Sequence, residues 1–135
     1  CGLLSSIGLP IMLQEVVDVA RKENLLDNLD LVMEVAQELA PDAARMALES
    51  WRMPPIVTDA IVHKHRYADA GIGRELAMII SAAALFADVM CTECPEIDDL
   101  KKEPVLAALN LYPDEIDAIL LKQDMIREAL ETLRG

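Results

Sequence analysis

The stretch from Arg74 to Met90 constrains the fold more than any other part of the chain. It carries Leu76, Ile79, Ile80, Ala83, Ala84, Ala87 and Val89 with no glycine or proline to interrupt them. Apolar residues at three- and four-residue intervals, present on nearly every side, predict a helix at the centre of the fold. Its alanines allow neighbouring backbones to come close. The apolar runs Leu76–Ile80 and Ala82–Ala87 are separated by Ser81 and ended by Asp88, so neither reaches the ~18 residues a membrane span requires.

The material for a core around this helix is aliphatic. Aromatic residues make up 3% of the chain, with Trp51, Tyr67, Phe86 and Tyr112 the only rings, while hydrophobic residues reach 53%. Leu, Ile, Val, Met and Ala with few aromatics favour helices over strands. No run of alternating β-branched residues and no internal repeat occurs, so the expected fold class is all-α, and 135 residues suffice for a single domain over 1–135.

The remaining helices are marked by their punctuation. Ser5 to Gly8 lies in an apolar turn, and Pro10 suits the first turn of a helix bearing Met12, Leu13, Val16, Val17 and Ala20 and ending near Lys22 to Asn24. Asn28 is a good N-cap for a second helix with Leu31, Val32, Val35, Ala36 and Leu39. Pro41 and Asp42 predict the start of a third, which runs into Trp51. Pro54 and Pro55 start a fourth, where Ile56, Val57, Ala60 and Ile61 precede His63 and His65. Arg66 to Gly73, with two glycines, reads as a loop, and so does acidic Glu93 to Asp99. Leu100 to Leu109 reads as a short helix with Pro104 near its start. Pro113-Asp114-Glu115 opens a last one, with the stripe Ile116, Ile119, Leu120, Ile126, Leu130 and Leu133.

Twelve basic against twenty-four acidic residues give a net charge of −12. A field of that sign repels phosphate backbones and anionic lipid, which argues against nucleic acid and membrane partners. Three cysteines, an odd number in a chain large enough to fold by packing, fit a reducing compartment, and a cytoplasmic location is expected. The start at Cys1, running straight into Gly2-Leu3-Leu4, fits a cut from a longer chain better than a lipidated terminus.

Few side chains suggest chemistry. Cys91-Thr92-Glu93-Cys94 is a CxxC, but the other candidate zinc ligands, Cys1, His63 and His65, are not at finger spacing. Two small residues at a helix end are the favoured account, with a regulatory zinc or disulfide as the alternative. His63 and His65 lie two residues apart, so they face different sides of a helix and cannot chelate one ion. With Lys64 and Arg66 they form the one cationic cluster on an acidic chain. Such a cluster either complements a helix C-terminus or orients an acidic protein partner. Trp51 is expected as a core plug wedging the third helix against the fourth, with Pro54 fixing the turn. The seven methionines are scattered as core filling.

The run Trp51-Arg52-Met53-Pro54-Pro55-Ile56-Val57-Thr58-Asp59-Ala60-Ile61-Val62-His63-Lys64-His65 resembles the signature of the HDOD family (HD-related output domains), Trp-x-Leu-Pro followed by Ala-Ile-x-x-His-His. Gly2-Leu3-Leu4-Ser5-Ser6-Ile7-Gly8 is similar to that family's Leu-Leu-His-Asp-Ile-Gly segment, and Leu76 to Val89 matches its next helix. The resemblance covers the second half of a typical family domain, without the upstream Asn-Ser motif.

The resemblance implies an orthogonal all-α bundle of the HD type lacking its first helices. In the wider HD superfamily an adjacent His-Asp pair ligates metal for phosphate-ester hydrolysis. The matching positions here are Ser5 and Ser6, whose neutral hydroxyls are poor ligands. The family's His-His pair is Lys64-His65, and a further His ahead of the Trp falls on Ala40. These departures imply no metal, no cofactor and no catalysis. A bacterial signal-transduction module acting through protein contact is expected, through the surface His63, Lys64, His65 and Arg66, with a second copy of the chain as another candidate partner. A divergent HD-type phosphohydrolase is the competing reading.

Overall fold

The computed structural model describes residues 2–23, 28–91 and 97–134. Among these residues every regular element is helical and no strand occurs. The chain divides into two compact units, Cys1–Ile80 and Ser81–Gly135. The first holds a one-turn 3-10 helix (Gly2–Leu4), α1 (Gly8–Lys22), α2 (Leu29–Ser50), α3 (Pro55–Val62), a 3-10 turn (Tyr67–Asp69) and the start of α4 (Arg74–Cys91). The second holds the rest of α4, then α5 (Ile97–Leu100), α6 (Pro104–Ala108), α7 (Pro113–Leu120) and α8 (Gln123–Arg134).

In the first unit α2 packs against both α1 and α3. Asn28 caps α2 as expected, its side-chain oxygen accepting from the Leu31 N–H at 3.2 Å. The core of this unit gathers Ala44, Leu48, Ala60, Ile61, Ala70, Ala77 and Ile80, with Leu4, Ile7, Met53, Val57, Tyr67 and Leu76 packed on it. Full burial of a side chain such as Leu48 contributes roughly 1.5–3 kcal/mol. Two glycines set how closely the backbones approach. A Cβ on Gly8 would lie 1.9 Å from the Ala40 carbonyl oxygen, and one on Gly73 would lie 2.5 Å from the Ala60 nitrogen. Both crossings are closed to any other residue unless a helix moves.

The second unit is held by larger side chains. Leu100, Val105, Leu106 and Ile116 are buried. Lys101 Nζ pairs with Asp117 at 2.6 Å, and Gln123 Nε2 donates to the Met90 carbonyl at 2.9 Å. At the start of α7 the Glu115 carboxylate accepts from the Tyr112 N–H at 2.9 Å, satisfying a donor the helix cannot.

Several sequence expectations need correction. Pro41 starts no helix: α2 runs through it for 22 residues. Pro41 forgoes the bond to the Gln37 carbonyl, yet Val32, Ala36, Ala43, Ala44 and Leu48 continue one buried face on both sides of it, and that packing outweighs the lost bond. The last helix is two, α7 and α8, interrupted at Leu121 and Lys122. Residues 100–109 likewise divide, because Pro104 begins α6 as its first residue instead of lying inside a longer helix. Helix α4 is not buried all round: Ala77, Ile80, Ala82, Phe86 and Met90 are buried, but Ile79 is 50% exposed and Ala83, Ala84 and Ala87 face solvent. The loop Arg66–Gly73 contains one 3-10 turn.

Trp51 is not a core plug, being 54% exposed. The reason is how α2 ends. Arg52 takes a left-handed conformation (φ 54), its N–H donates to the Glu49 carbonyl, and the Met53 N–H reaches the Leu48 carbonyl at 2.9 Å. This is a Schellman ending, in which the residue after the left-handed position folds back onto the helix. Met53 therefore takes the core place expected of the indole, and Trp51, the C-cap, points outward. Pro54 does fix the following turn, as the N-cap of α3.

Of the Cys91-Thr92-Glu93-Cys94 motif, only the Cys91 backbone, the last residue of α4, is described. Thr92 to Cys94 and Cys1 lie outside the described residues, as do the side chains of Leu130 and Leu133.

Candidate functional site

Two cavities open in the first unit, on different sides of the α3 C-terminus. The larger, about 400 Å³, is lined by Ser5, Ser6, Gln37, Lys64 and His65 among polar residues, and by Gly8, Leu9, Ala40, Pro41, Ala44, Ile61 and Val62. Five residues from three separate stretches of the sequence, Ser5 and Ser6, Ala40, and Lys64 and His65, thus surround one space. Local structure explains the convergence. The Gly8 approach to α2 brings the turn before α1 over Ala40 and Ala44, and the end of α3 delivers Lys64 and His65.

Lys64 Nζ donates to the Ser5 carbonyl. Burial pushes the Lys64 amine below its ordinary value, since partial desolvation disfavours the ammonium. The His65 ring is also lowered, first by burial and then by the neighbouring Lys64 charge. The Ser5 hydroxyl is engaged, donating to the Gly2 carbonyl at 2.8 Å. Among the described residues the lining holds no aspartate or glutamate. Among the described residues, no three His, Cys, Asp or Glu side chains converge to hold a metal ion.

The smaller cavity, about 240 Å³, is bordered by Arg45, Glu49, Met53, Pro55, Thr58, Asp59, Val62 and His63. His63 Nδ1 lies 2.9 Å from the Asp59 carbonyl oxygen and 3.0 Å from its Oδ1. The other carboxylate oxygen accepts from the Gly73 N–H at 2.8 Å. Asp59 thus joins the end of α3 to the start of α4, a role not read from the sequence. The signal was present, an aspartate four residues before the histidine on one helix face. Beside it the Thr58 hydroxyl is buried with no partner among the described residues.

The cationic cluster does not form one surface. His63 faces the smaller cavity, Lys64 and His65 the larger. Arg66 stands in solvent, its side chain 81% exposed and 3.7 Å from Asp69. The separation of His63 from His65 follows the expected facing of residues two apart. No helix among the described residues is long and apolar enough to cross a membrane. No protein-family model, curated protein or solved structure matches the chain.

Proposed function

We propose that this chain is a non-catalytic regulatory module that works through protein contact, in the manner of the HDOD domains its Trp51–His65 run resembles. The observation that carries this reading is the donor set around the larger cavity. Where a metal-dependent hydrolase of the HD type would gather imidazoles and carboxylates, this cavity gathers two hydroxyls, an amide, an ammonium and one imidazole. An ammonium placed there repels a divalent cation, and hydroxyls compete poorly for one. The contact surface is sought on exposed groups of the same unit, Trp51, Arg66 and Ile72.

The test is direct. Purified protein is assayed for hydrolysis of bis-p-nitrophenyl phosphate with added Mn²⁺, Mg²⁺, Fe²⁺ or Zn²⁺, and its metal content is measured. No turnover above the metal-only blank is expected. Turnover that chelation abolishes and Lys64→Ala alters would overturn the proposal in favour of a divergent phosphohydrolase.

A further inference from the structure

The face around the first turn of α3 combines two features that a surface in contact only with water does not need. The first is apolar. Trp51, Ile56 and Ile72 are 54%, 45% and 69% exposed, and the fold gathers them. The Gly73 N–H bonds to Asp59, and a Cβ on Gly73 would lie 2.7 Å from the Ile56 carbonyl oxygen. Ile72 and Arg74, on either side of that glycine, therefore border the first turn of α3. Trp51 and Arg52 lead into the same turn, with only Met53 between them and the N-cap Pro54. The second feature is charge. Between Trp51 and Arg74 the chain holds four Lys and Arg against two Asp, while the remaining residues hold eight basic against twenty-two acidic. Both aspartates are engaged, Asp59 by His63 and Gly73 and Asp69 by Arg66. Arg52 and Arg74 are exposed, and no ion pair among the described residues involves either.

We propose that this face docks an acidic amphipathic helix of a partner protein, its apolar stripe on Trp51, Ile56 and Ile72 and its carboxylates on Arg52 and Arg74. The inference rests on the regulatory reading above and names the partner's chemistry. Tryptophan and arginine are the residue types that most often dominate binding energy once an interface covers them. A guanidinium grips a carboxylate by two parallel bonds, which a lysine cannot do. No strand occurs among the described residues, so they offer no sheet edge to an extended peptide, and a helix laid on side chains is the recognition mode left. A second copy of the chain seated here about a two-fold axis would set arginine against arginine. The acidic residues elsewhere do not forbid the docking, because at physiological salt exposed charges are screened beyond about 8 Å.

Trp51 is the only tryptophan in the chain, so its fluorescence reports on this face. Calorimetry and emission spectra are recorded on the full chain with three synthetic peptides. The first is helix-forming, with leucines at i, i+3, i+4 and i+7 among glutamates; the second has lysine for every glutamate; the third is acidic with its leucines spread round the helix. The first should bind saturably and shift the Trp51 emission to the blue, and the other two should bind about tenfold more weakly or worse. The double variant Arg52→Gly/Arg74→Gln should weaken the first peptide about tenfold through loss of charge-assisted bonds, and Ile72→Ser should do so through loss of an apolar anchor. All three positions are exposed, so these variants keep the fold, which circular dichroism checks. No saturable binding, equal or tighter binding of the lysine peptide, binding without a Trp51 shift, or undiminished affinity in the double variant would each overturn the docking proposal. So would sedimentation showing the unliganded chain to be a dimer that Trp51→Ala dissociates. These outcomes leave the non-catalytic reading standing, since that reading falls to phosphodiester turnover that chelation abolishes.

Discussion

In Cys1–Ile80 the chain leaves α2 through Arg52 at φ 54, and in Ser81–Gly135 it leaves α6 through Asn110 at φ 58. The hydrogen bonds of the two endings are the same. Met53 reaches the Leu48 carbonyl as Leu111 reaches that of Leu106, both at 2.9 Å, and Arg52 and Asn110 each bond three residues back. In each case the carbonyl belongs to a fully buried leucine, and a proline-led helix follows. The units differ in what the turn is attached to. The first brings backbones together at Gly8 and Gly73, and small residues there leave open space beside the crossing. The second joins its helices through long side chains, Lys101 to Asp117 and Gln123 to Met90. Backbone-close packing makes a unit that can hold a cavity and that tolerates little enlargement.

The largest effects should show what the units share. Leu48→Ala and Leu106→Ala remove the side chain at the same place in the same turn, and each should cost roughly 2–5 kcal/mol in urea denaturation. A large difference between them would mean that the common hydrogen-bond pattern does not reflect common packing.

Next come the substitutions that separate the units. Gly8→Ala places a methyl against the Ala40 carbonyl and should destabilise by about 1–3 kcal/mol, as overpacking does. Retention of the wild-type denaturation midpoint would show that α1 can lift from α2 at little cost.

A smaller effect, of opposite sign, is expected at the turns. Arg52→Gly should stabilise by about 0.5–1 kcal/mol, because a residue with a Cβ is strained in the left-handed region. Asn110→Gly should change stability by no more than a few tenths, asparagine being tolerated there. Thermal melts of the two variants decide it. Trp51→Ala, at an exposed position, should leave the midpoint near that of the wild type.

The smallest effect is a pH dependence confined to the first unit. His65 titrates lower when folded than when unfolded. Its contribution is therefore complete above about pH 6.5, the unfolded value, and is lost as the pH falls from there through the folded value. His65→Asn should flatten the stability profile over that window, measured as the difference from wild type so that the carboxylates cancel.

Much of this was legible where a residue acts locally. Asn28 capped its helix, the prolines at 54, 55 and 113 opened theirs, and the all-α class followed from composition. The pattern failed where tertiary contacts override local preference. Pro41 sits inside a helix because a buried face spans it, and Trp51 faces out because a left-handed arginine, with no sequence mark of its own, turns Met53 inward. Of the candidate site, the membership of Ser5, Ser6, Ala40, Lys64 and His65 was suggested by the resemblance, while Gln37 and the α1 terminus appear only once Gly8 has brought α1 to α2.

The Asp59 carboxylate, which holds the His63 ring four residues on and the Gly73 amide fourteen residues on, has a consequence for engineering. It works as a clasp, closing the intervening segment into a handle whose ends are already fixed. Extra length inserted between the exposed Gly71 and Ile72 then adds only the slowly growing entropy of a longer loop, about 0.6 kcal/mol per doubling. That makes this segment the natural place to splice in an epitope or reporter, and Asp59→Asn, which weakens the clasp, is the change that should make such an insertion costly.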